Sequence, residues 1–134
     1  MRKVAMRTLP MLLLLAGLAS LGLAGCDTSP HTGPANEVDL TQMDFAQHVV
    51  TIPAGTAVRF SNPASGVMHV LCVGANATCI PDAQSPAELT ASGGMTLAAG
   101  QTKDITFDAP GTYAIACVLH PAMNLTITVD GQGA

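Results

Sequence analysis

From about residue 38 onward, the chain alternates short apolar, β-branched runs with Gly, Pro and Asn. Apolar residues there do not recur at the spacing of an amphipathic helix, which favours strands over helices. Segments 102–107 and 124–129 alternate apolar and polar positions, as half-buried strands do. The pattern predicts strands at 38–44, 47–52, 56–61, 67–73, 95–98, 102–108, 111–117 and 123–129. Several short strands in about 95 residues are typical of an all-β, two-sheet sandwich.

One long irregular stretch, residues 74–94, interrupts this series of strands. Within it we expect a helical turn near residues 85–89. Pro86 suits the first position of that turn, because proline has no N–H to lose there.

The first 25 residues have a different character. Arg2, Lys3 and Arg7 precede an apolar run over 9–23 that is shorter than the roughly 20 residues of a membrane span. The run ends in small residues followed by Cys26, and this resembles the lipobox of bacterial lipoproteins, in which the Cys is acylated. A plain N-terminal anchor helix is the alternative.

The lipobox resemblance divides the chain into a signal peptide (1–25), a polar Pro- and Gly-containing tether (26–37) and a folded domain (38–134). A lipid on Cys26 would hold that domain outside the cytoplasm, on the outer face of the cell membrane. In a Gram-negative organism this is the periplasmic side.

Removing residues 1–25 changes the charge balance of the chain. The whole sequence is 49% hydrophobic with a formal net charge of −4. Residues 26–134 keep two basic residues, Arg59 and Lys103, against nine acidic ones, a net charge of −7. This excludes nucleic-acid binding through a basic face. The length also excludes a multi-domain enzyme.

The segment near the C-terminus carries the candidate chemistry. Cys117, His120 and Met123 lie within seven residues between two predicted strands. Thiolate and thioether groups suit copper, and imidazole suits both of its oxidation states. His69, on the strand that follows the turn at Asn62, would complete a set of two His, one Cys and an axial Met. Alternatively, the Cys and Met are core residues and His120 is a surface residue.

These residues resemble the cupredoxin family of blue copper proteins, over roughly residues 38–130. The C-x-x-H-x-x-M spacing is that of amicyanin-like members, and Gly111, Tyr113 and Pro121 match the flanks of the motif. The resemblance implies a two-sheet Greek-key sandwich of about seven to eight strands that binds one copper ion, Cu(I) or Cu(II). The ligands it implies are His69, Cys117, His120 and, axially, Met123.

The sequence departs from the family pattern beside the ligands. Members usually have Asn after the first ligand His and Ser or Thr after the Cys, and these side chains link the ligand loops. Here the positions hold Val70 and Val118, so no buried polar partner is left unsatisfied, and a contact between the two valines is a candidate replacement. Asn124 stands where many relatives have Gly or Lys. The carbonyl of Met68 is a candidate weak contact on the second axial side.

Two cysteines, Cys72 and Cys79, remain after the lipid and copper assignments. A location outside the cytoplasm permits a disulfide between them. Cys72 is three residues from His69, so on a regular strand its side chain points to the opposite face from that ligand. Free thiols or a second metal site are the alternatives to the disulfide.

The resemblance implies a carrier of single electrons. Four protein ligands leave no open position for a substrate, so we do not expect an enzyme. Electrons would leave through the exposed edge of His120, across a small apolar patch suited to brief encounters. The predicted patch consists of Leu119, Pro121, Ala122, Pro63, Ala64 and Gly66. We expect a monomer whose partners are redox proteins such as a cytochrome or a membrane electron-transfer complex, with a basic docking face.

Three other functions compete with electron transfer. A copper-binding or delivery protein would use the same ligands to handle the metal itself. A dinuclear copper-A domain would show the pattern C-x-x-x-C-x-x-x-H, with two Cys bridging two coppers, and residues 114–116 contain no second Cys. A metal-free adhesive sandwich is disfavoured, because it would not account for the Cys–His–Met motif.

Overall fold

The computed structural model describes residues 36–131, which form two β-sheets and one short helix. The strands are β1 (Glu37–Asp39), β2 (Val49–Pro53), β3 (Thr56–Ser61), β4 (His69–Ala75), β5 (Thr78–Cys79), β6 (Met95–Leu97), β7 (Thr102–Phe107), β8 (Gly111–Cys117) and β9 (His120–Asp130), and the helix is α1 (Ala87–Thr90). The predicted all-β sandwich is confirmed, with nine strands instead of seven to eight.

The larger sheet brings the ligand-bearing strands side by side. Its order is β2-β9-β8-β4-β5, with β6 also paired to β4, while the smaller sheet has the order β1-β3-β7. β1 pairs with β3 and β2 with β9 in parallel, and the other pairs are antiparallel. Because β8 lies between β4 and β9, the start of β4, the end of β8 and the start of β9 meet at one edge of the sheet.

Alternating apolar positions explain how the two sheets hold together. On β9, Met123, Leu125, Ile127 and Val129 are buried, while the residues between them are partly exposed. The facing sheet contributes fully buried aromatic side chains such as Phe60. Burying each such side chain contributes about 1.5–3 kcal/mol before conformational entropy is counted. The core therefore lies between the sheets and extends to Met123 at the ligand end.

Most predicted strands form close to their predicted positions, but the first does not. β3 and β8 have the predicted bounds, whereas β9 begins three residues early, at His120. The strand predicted over 38–44 is wrong beyond Asp39. The N–H of Thr41 donates to the carbonyl of Asp44 at 2.8 Å, and Leu40 forms an isolated bridge with Phe45. The chain therefore turns over residues 41–44 instead of running on.

The strand β5 was not predicted, and it folds back on β4 as a tight hairpin. Asn76 and Ala77 have positive φ angles of 51° and 62°, which matches the right-handed twist of two short strands. A side chain at Gly74 would collide with the main chain of Thr78, so glycine is what lets the two strands approach. The hairpin contains two paired positions, Gly74 with Cys79 and Ala75 with Thr78.

The disulfide between Cys72 and Cys79 is present and closes this hairpin. The predicted pairing is thereby confirmed. We define the disulfide hairpin as residues 72–79, with Asn76 at its tip.

The helical turn predicted near residues 85–89 forms slightly later, as α1. Pro86 is its N-cap residue and not the first helical residue as predicted, because its ψ of 134° is not helical. Leu89 is buried and anchors the turn against the core.

Asn36 is the first residue that the structure describes, and it is already held to the sheet. Its side-chain amide donates to the carbonyl of Ala57, and its own carbonyl accepts a bond from Arg59. Glu37 is already in β1, so these two residues at the end of the predicted tether belong to the sheet edge. The rest of the predicted tether, the predicted signal peptide and Cys26 lie outside the described residues, and the domain boundaries stay predictions. Within 36–131, none of the helices is long and apolar enough to span a bilayer.

Candidate metal centre

Two imidazoles and one thiol converge at the edge where β4, β8 and β9 meet. His69 opens β4, Cys117 closes β8 and His120 opens β9. Strand pairing sets this arrangement, since Cys117 lies opposite Leu71 on one side and opposite His120 on the other. One ligand atom from each of the three residues lies within 4.8 Å of the others. A metal ion between them would have three protein donors.

The donor separations suit a metal ion. The Sγ of Cys117 lies 3.7 Å from Nδ1 of His69 and 3.5 Å from Nδ1 of His120. Metal bonds of about 2.3 Å to sulfur and 2.0 Å to nitrogen, at angles of about 110–120°, separate the two donors by about 3.5–3.7 Å. One thiolate with two imidazoles is also the donor set typical of copper electron-transfer sites. The residues present therefore fit a copper ion in both geometry and chemistry.

A main-chain carbonyl orients His69. Its Nε2 lies 3.0 Å from the carbonyl oxygen of Thr41, which can only accept a hydrogen bond. Nε2 therefore carries the proton, and Nδ1 is left with a lone pair aimed at Cys117. Thr41 was not identified from sequence, because a carbonyl leaves no signature in the residue type.

The surroundings of His69 keep it neutral. Its side chain is fully buried, and burial is the main reason that its pKa lies below the usual value. The nearby charge of His120 lowers the pKa further, and the bond to Thr41 opposes the shift. A neutral imidazole is the form that binds a metal, so burial prepares this ligand in advance.

Burial separates the four predicted ligands into two groups. His69, Cys117 and Met123 have no exposed surface, while His120 is partly exposed. Met123 lies on β9 three residues after His120, inside the apolar core. His120 is therefore the predicted ligand that is accessible to solvent.

The two ligand loops are linked through the main chain. The N–H of Val118 donates to the carbonyl of Val70 at 2.8 Å, directly beside Cys117 and His69. This bond needs no polar side chain at either position. It explains how the loops stay connected although valine stands at both family positions.

Asn62 supports the segment that precedes His69, a role that was not predicted from its place in a turn. Its buried amide group donates to the carbonyls of Val67, at 2.8 Å, and Leu97, at 3.0 Å. A side chain at Gly66 would collide with the Asn62 amide oxygen, so this close approach requires glycine. The Asn–Pro turn was the available sequence signal.

The predicted electron-transfer patch is at the surface. Leu119 is 46% exposed, and Gly66 is partly exposed. Its other members, all exposed, are Pro121, Ala122, Pro63 and Ala64. Val67 and Met68, which directly follow Gly66, are also exposed and apolar and were not predicted as part of the patch. The main-chain bond from Val118 to Val70 joins the segment before Leu119 to the strand that follows Gly66, Val67 and Met68.

Residues 33–130 match the family of copper-binding proteins that includes plastocyanin and azurin. The chain belongs to this plastocyanin/azurin family. Copper is its cofactor, and the predicted cupredoxin relationship is confirmed. The family match covers the whole ordered domain, from β1 to β9.

Individual relatives agree with the family assignment. Amicyanin-alpha of Methylorubrum extorquens is 29% identical over 115 residues, which are 86% of this chain and 87% of that protein. The amicyanin structure from Paracoccus versutus superposes with a TM-score of 0.52 at 24% identity, over 74% of this chain and 86% of that one. A reduced Cu(I) mutant of amicyanin at pH 4 gives a TM-score of 0.55 at 22% identity, over 75% and 87% of the two chains. Both amicyanin structures have the same fold as this chain.

Proposed function

We propose that the protein is a membrane-anchored, extracytoplasmic carrier of single electrons, with one copper ion held by His69, Cys117, His120 and Met123. The observation that carries the proposal is the convergence of a buried thiol with two imidazoles, one of which is partly exposed. Bound copper supplies the one-electron couple between Cu(I) and Cu(II). The family's copper binding and the similarity to amicyanins support the same conclusion.

The chain's own residues hold the proposed ligands in place without a metal ion. Thr41 fixes the ring of His69, and the main-chain bond from Val118 to Val70 holds the two ligand loops together. The β8–β9 hairpin sets the separation of Cys117 and His120. A ligand set that does not move between oxidation states favours fast electron transfer over metal release.

The proposed ligand set also argues against catalysis. Three equatorial donors and one thioether would occupy all the coordination positions, so no position stays open for a substrate. His69, Cys117 and Met123 are fully buried, which keeps water and small molecules away from that side of the site. The centre is therefore suited to exchange of electrons and not of atoms.

The patch around His120 is the proposed docking surface. It is small and apolar, which suits brief encounters with redox partners such as a cytochrome or a membrane electron-transfer complex. The net charge of −7 over residues 26–134 favours a partner with a basic face. We expect the carrier to act as a monomer, since one copy supplies every proposed ligand.

Attachment to the membrane is the part of the proposal that rests on sequence. A lipid on Cys26 and a tether over residues 26–37 would hold the domain near its membrane partners and raise its effective concentration there. The disulfide between Cys72 and Cys79 is consistent with an oxidising compartment outside the cytoplasm.

A charge placed in the docking patch tests the electron-transfer function. Leu119→Lys should slow electron exchange with a redox protein at least several-fold and leave the visible spectrum of the copper-loaded protein unchanged. The matched control is Val49→Lys, because Val49 is similarly apolar and 66% exposed but lies on β2, opposite Thr126 and far along β9 from His120. Equal rates for the two variants would contradict the docking patch. Negligible electron self-exchange by the wild-type protein, with slow copper loss, would instead support copper delivery.

A further inference from the structure

Three residues form a row across the face of the larger sheet that is turned away from the copper ligands. Cys72 on β4 lies opposite Ala116 on β8, which lies opposite Asn124 on β9. Directly opposite residues share a face of the sheet, and successive residues alternate. Ala116 directly precedes Cys117 on β8, so this row lies on the opposite face of the sheet from the Cys117 side chain. Ala116 is nevertheless fully buried, so the outer face is covered at this point.

Asn124 joins the disulfide hairpin to the ligand segment. Its side-chain oxygen accepts a hydrogen bond from the N–H of Asn76 at 2.9 Å. Its side-chain nitrogen lies 3.4 Å from the side-chain oxygen of Asn76 and 3.4 Å from the carbonyl of Pro121. One side chain thus contacts the tip of the hairpin and the residue that follows His120.

The hairpin is suited to act as a fixed support. The disulfide between Cys72 and Cys79 closes a short loop and limits the conformations of its tip. The positive φ of Asn76 is set within this loop and directs its N–H toward Asn124. The support is anchored on β4, the strand that also carries His69.

We propose that Asn124 is a positioning residue for the metal centre. By bonding to Asn76 in the disulfide hairpin, it fixes the segment from His120 to Met123, which carries two of the four proposed ligands. The inference rests on the proposed copper centre, and it assigns the disulfide a role in the site. It also gives a reason for asparagine at a position where many relatives have Gly or Lys.

Amide hydrogen exchange of the metal-free protein gives the first test. Asn124→Ala should speed exchange of the amide hydrogens of Leu119, His120, Ala122 and Met123 about tenfold, the change expected for one lost hydrogen bond. Asn124→Asp keeps the acceptor for Asn76 and should restore most of the protection. Asn36→Ala removes an equivalent side-chain bond, to Ala57, at the other sheet and serves as the control. Equal exchange in Asn124→Ala and the wild-type protein would overturn the inference.

Copper release to a chelator gives the second test. Asn124→Ala should release copper about tenfold faster and shift the thiolate-to-copper band, and Asn124→Asp should reverse most of both changes. In a Cys72→Ser/Cys79→Ser background, Asn124→Ala should have little further effect, because its support is already lost. An undiminished effect in that background would overturn the role of the disulfide hairpin.

A third variant keeps the test decisive if the double serine variant does not fold. Asn76→Gly retains the N–H that bonds to Asn124 and tolerates the positive φ, so it should release copper at nearly the wild-type rate. Release as fast as in Asn124→Ala would contradict the assigned contact. Absence of a thiolate band in the wild-type protein would refute the copper centre itself, whereas the hydrogen-exchange test would still decide the role of Asn124.

Discussion

His69 illustrates how single residues prepare the site before any metal binds. It is fully buried, its Nε2 is bonded to Thr41, and its Nδ1 faces the thiol of Cys117. Burial lowers its pKa, so the ring stays neutral in the fold at pH values where an exposed histidine takes up a proton. Metal binding and folding therefore favour the same protonation state.

This lowered pKa predicts that the metal-free protein loses stability as the pH falls. Below about pH 6.5, the unfolded chain protonates this histidine and the folded chain does not, so the free energy of unfolding decreases. The loss continues until the pH reaches the lower pKa of the folded state, with a slope of at most about 1.4 kcal/mol per pH unit. Urea unfolding of the metal-free protein between pH 7 and pH 5 measures this decrease in the free energy of unfolding.

The variant His69→Gln provides the control for this pH dependence. It cannot titrate at this position, so its stability should fall less steeply over the same range. All other titrating groups are shared, and the difference between the two proteins isolates His69. Parallel pH profiles for the two proteins would contradict the assignment.

At the residue scale, the sequence predicted the side chains of the ligand set and missed the main-chain contacts that support them. Cys117, His120 and Met123 were identifiable because their spacing along one hairpin is itself the signal. Thr41 and the bond between Val118 and Val70 act through main-chain atoms, which any residue type supplies. Such contacts depend on which segments meet in space, and residue identity does not report that.

At the scale of elements, the ends of strands could be predicted where Gly or Pro marks a turn in the sequence. β8 follows Pro110 and begins at Gly111, and its predicted bounds agree with the structure. The segment 41–44 has no Gly or Pro, so the strand was extended too far, although a bond between Thr41 and Asp44 turns the chain there. β9 starts early because pairing with Cys117 draws His120 into the ladder.

The disulfide hairpin should contribute measurably to stability. Replacing Cys72 and Cys79 together by serine removes the cross-link and should reduce the free energy of unfolding by about 2–3 kcal/mol in the chain-entropy model. Denaturant unfolding of the metal-free protein measures this change. Mass spectrometry before and after reduction should show the two cysteines linked in the wild-type protein. An unchanged unfolding midpoint in the double variant would contradict a stabilising role.

At the scale of the whole molecule, composition predicts how the carrier meets its partner. Residues 26–134 carry nine acidic and two basic residues. Arg59 is already paired with Asp104 at 2.8 Å, so little basic character remains to oppose the acidic surface. The long-range field should therefore attract a basic partner while the apolar patch makes the contact.

Electron exchange with a basic cytochrome should slow as salt is added. Raising the ionic strength from about 0.01 M to 0.15 M shortens the Debye length from about 30 Å to 8 Å and screens this attraction. The association rate constant should fall by about tenfold or more, as measured by stopped-flow absorbance. An acidic cytochrome is the control and should show no such decrease. A rate independent of salt with both partners would contradict electrostatic steering.

Titration of the purified metal-free protein with Cu(II) tests whether Cys117 binds copper. Cys117 is the buried free cysteine of the described chain and lies between two imidazoles. The wild-type protein should develop an intense visible thiolate-to-copper band that saturates at one copper per chain, and Cys117→Ser should show none while keeping its β-sheet circular dichroism. A colourless wild-type protein, or a band that persists in Cys117→Ser, would contradict the account.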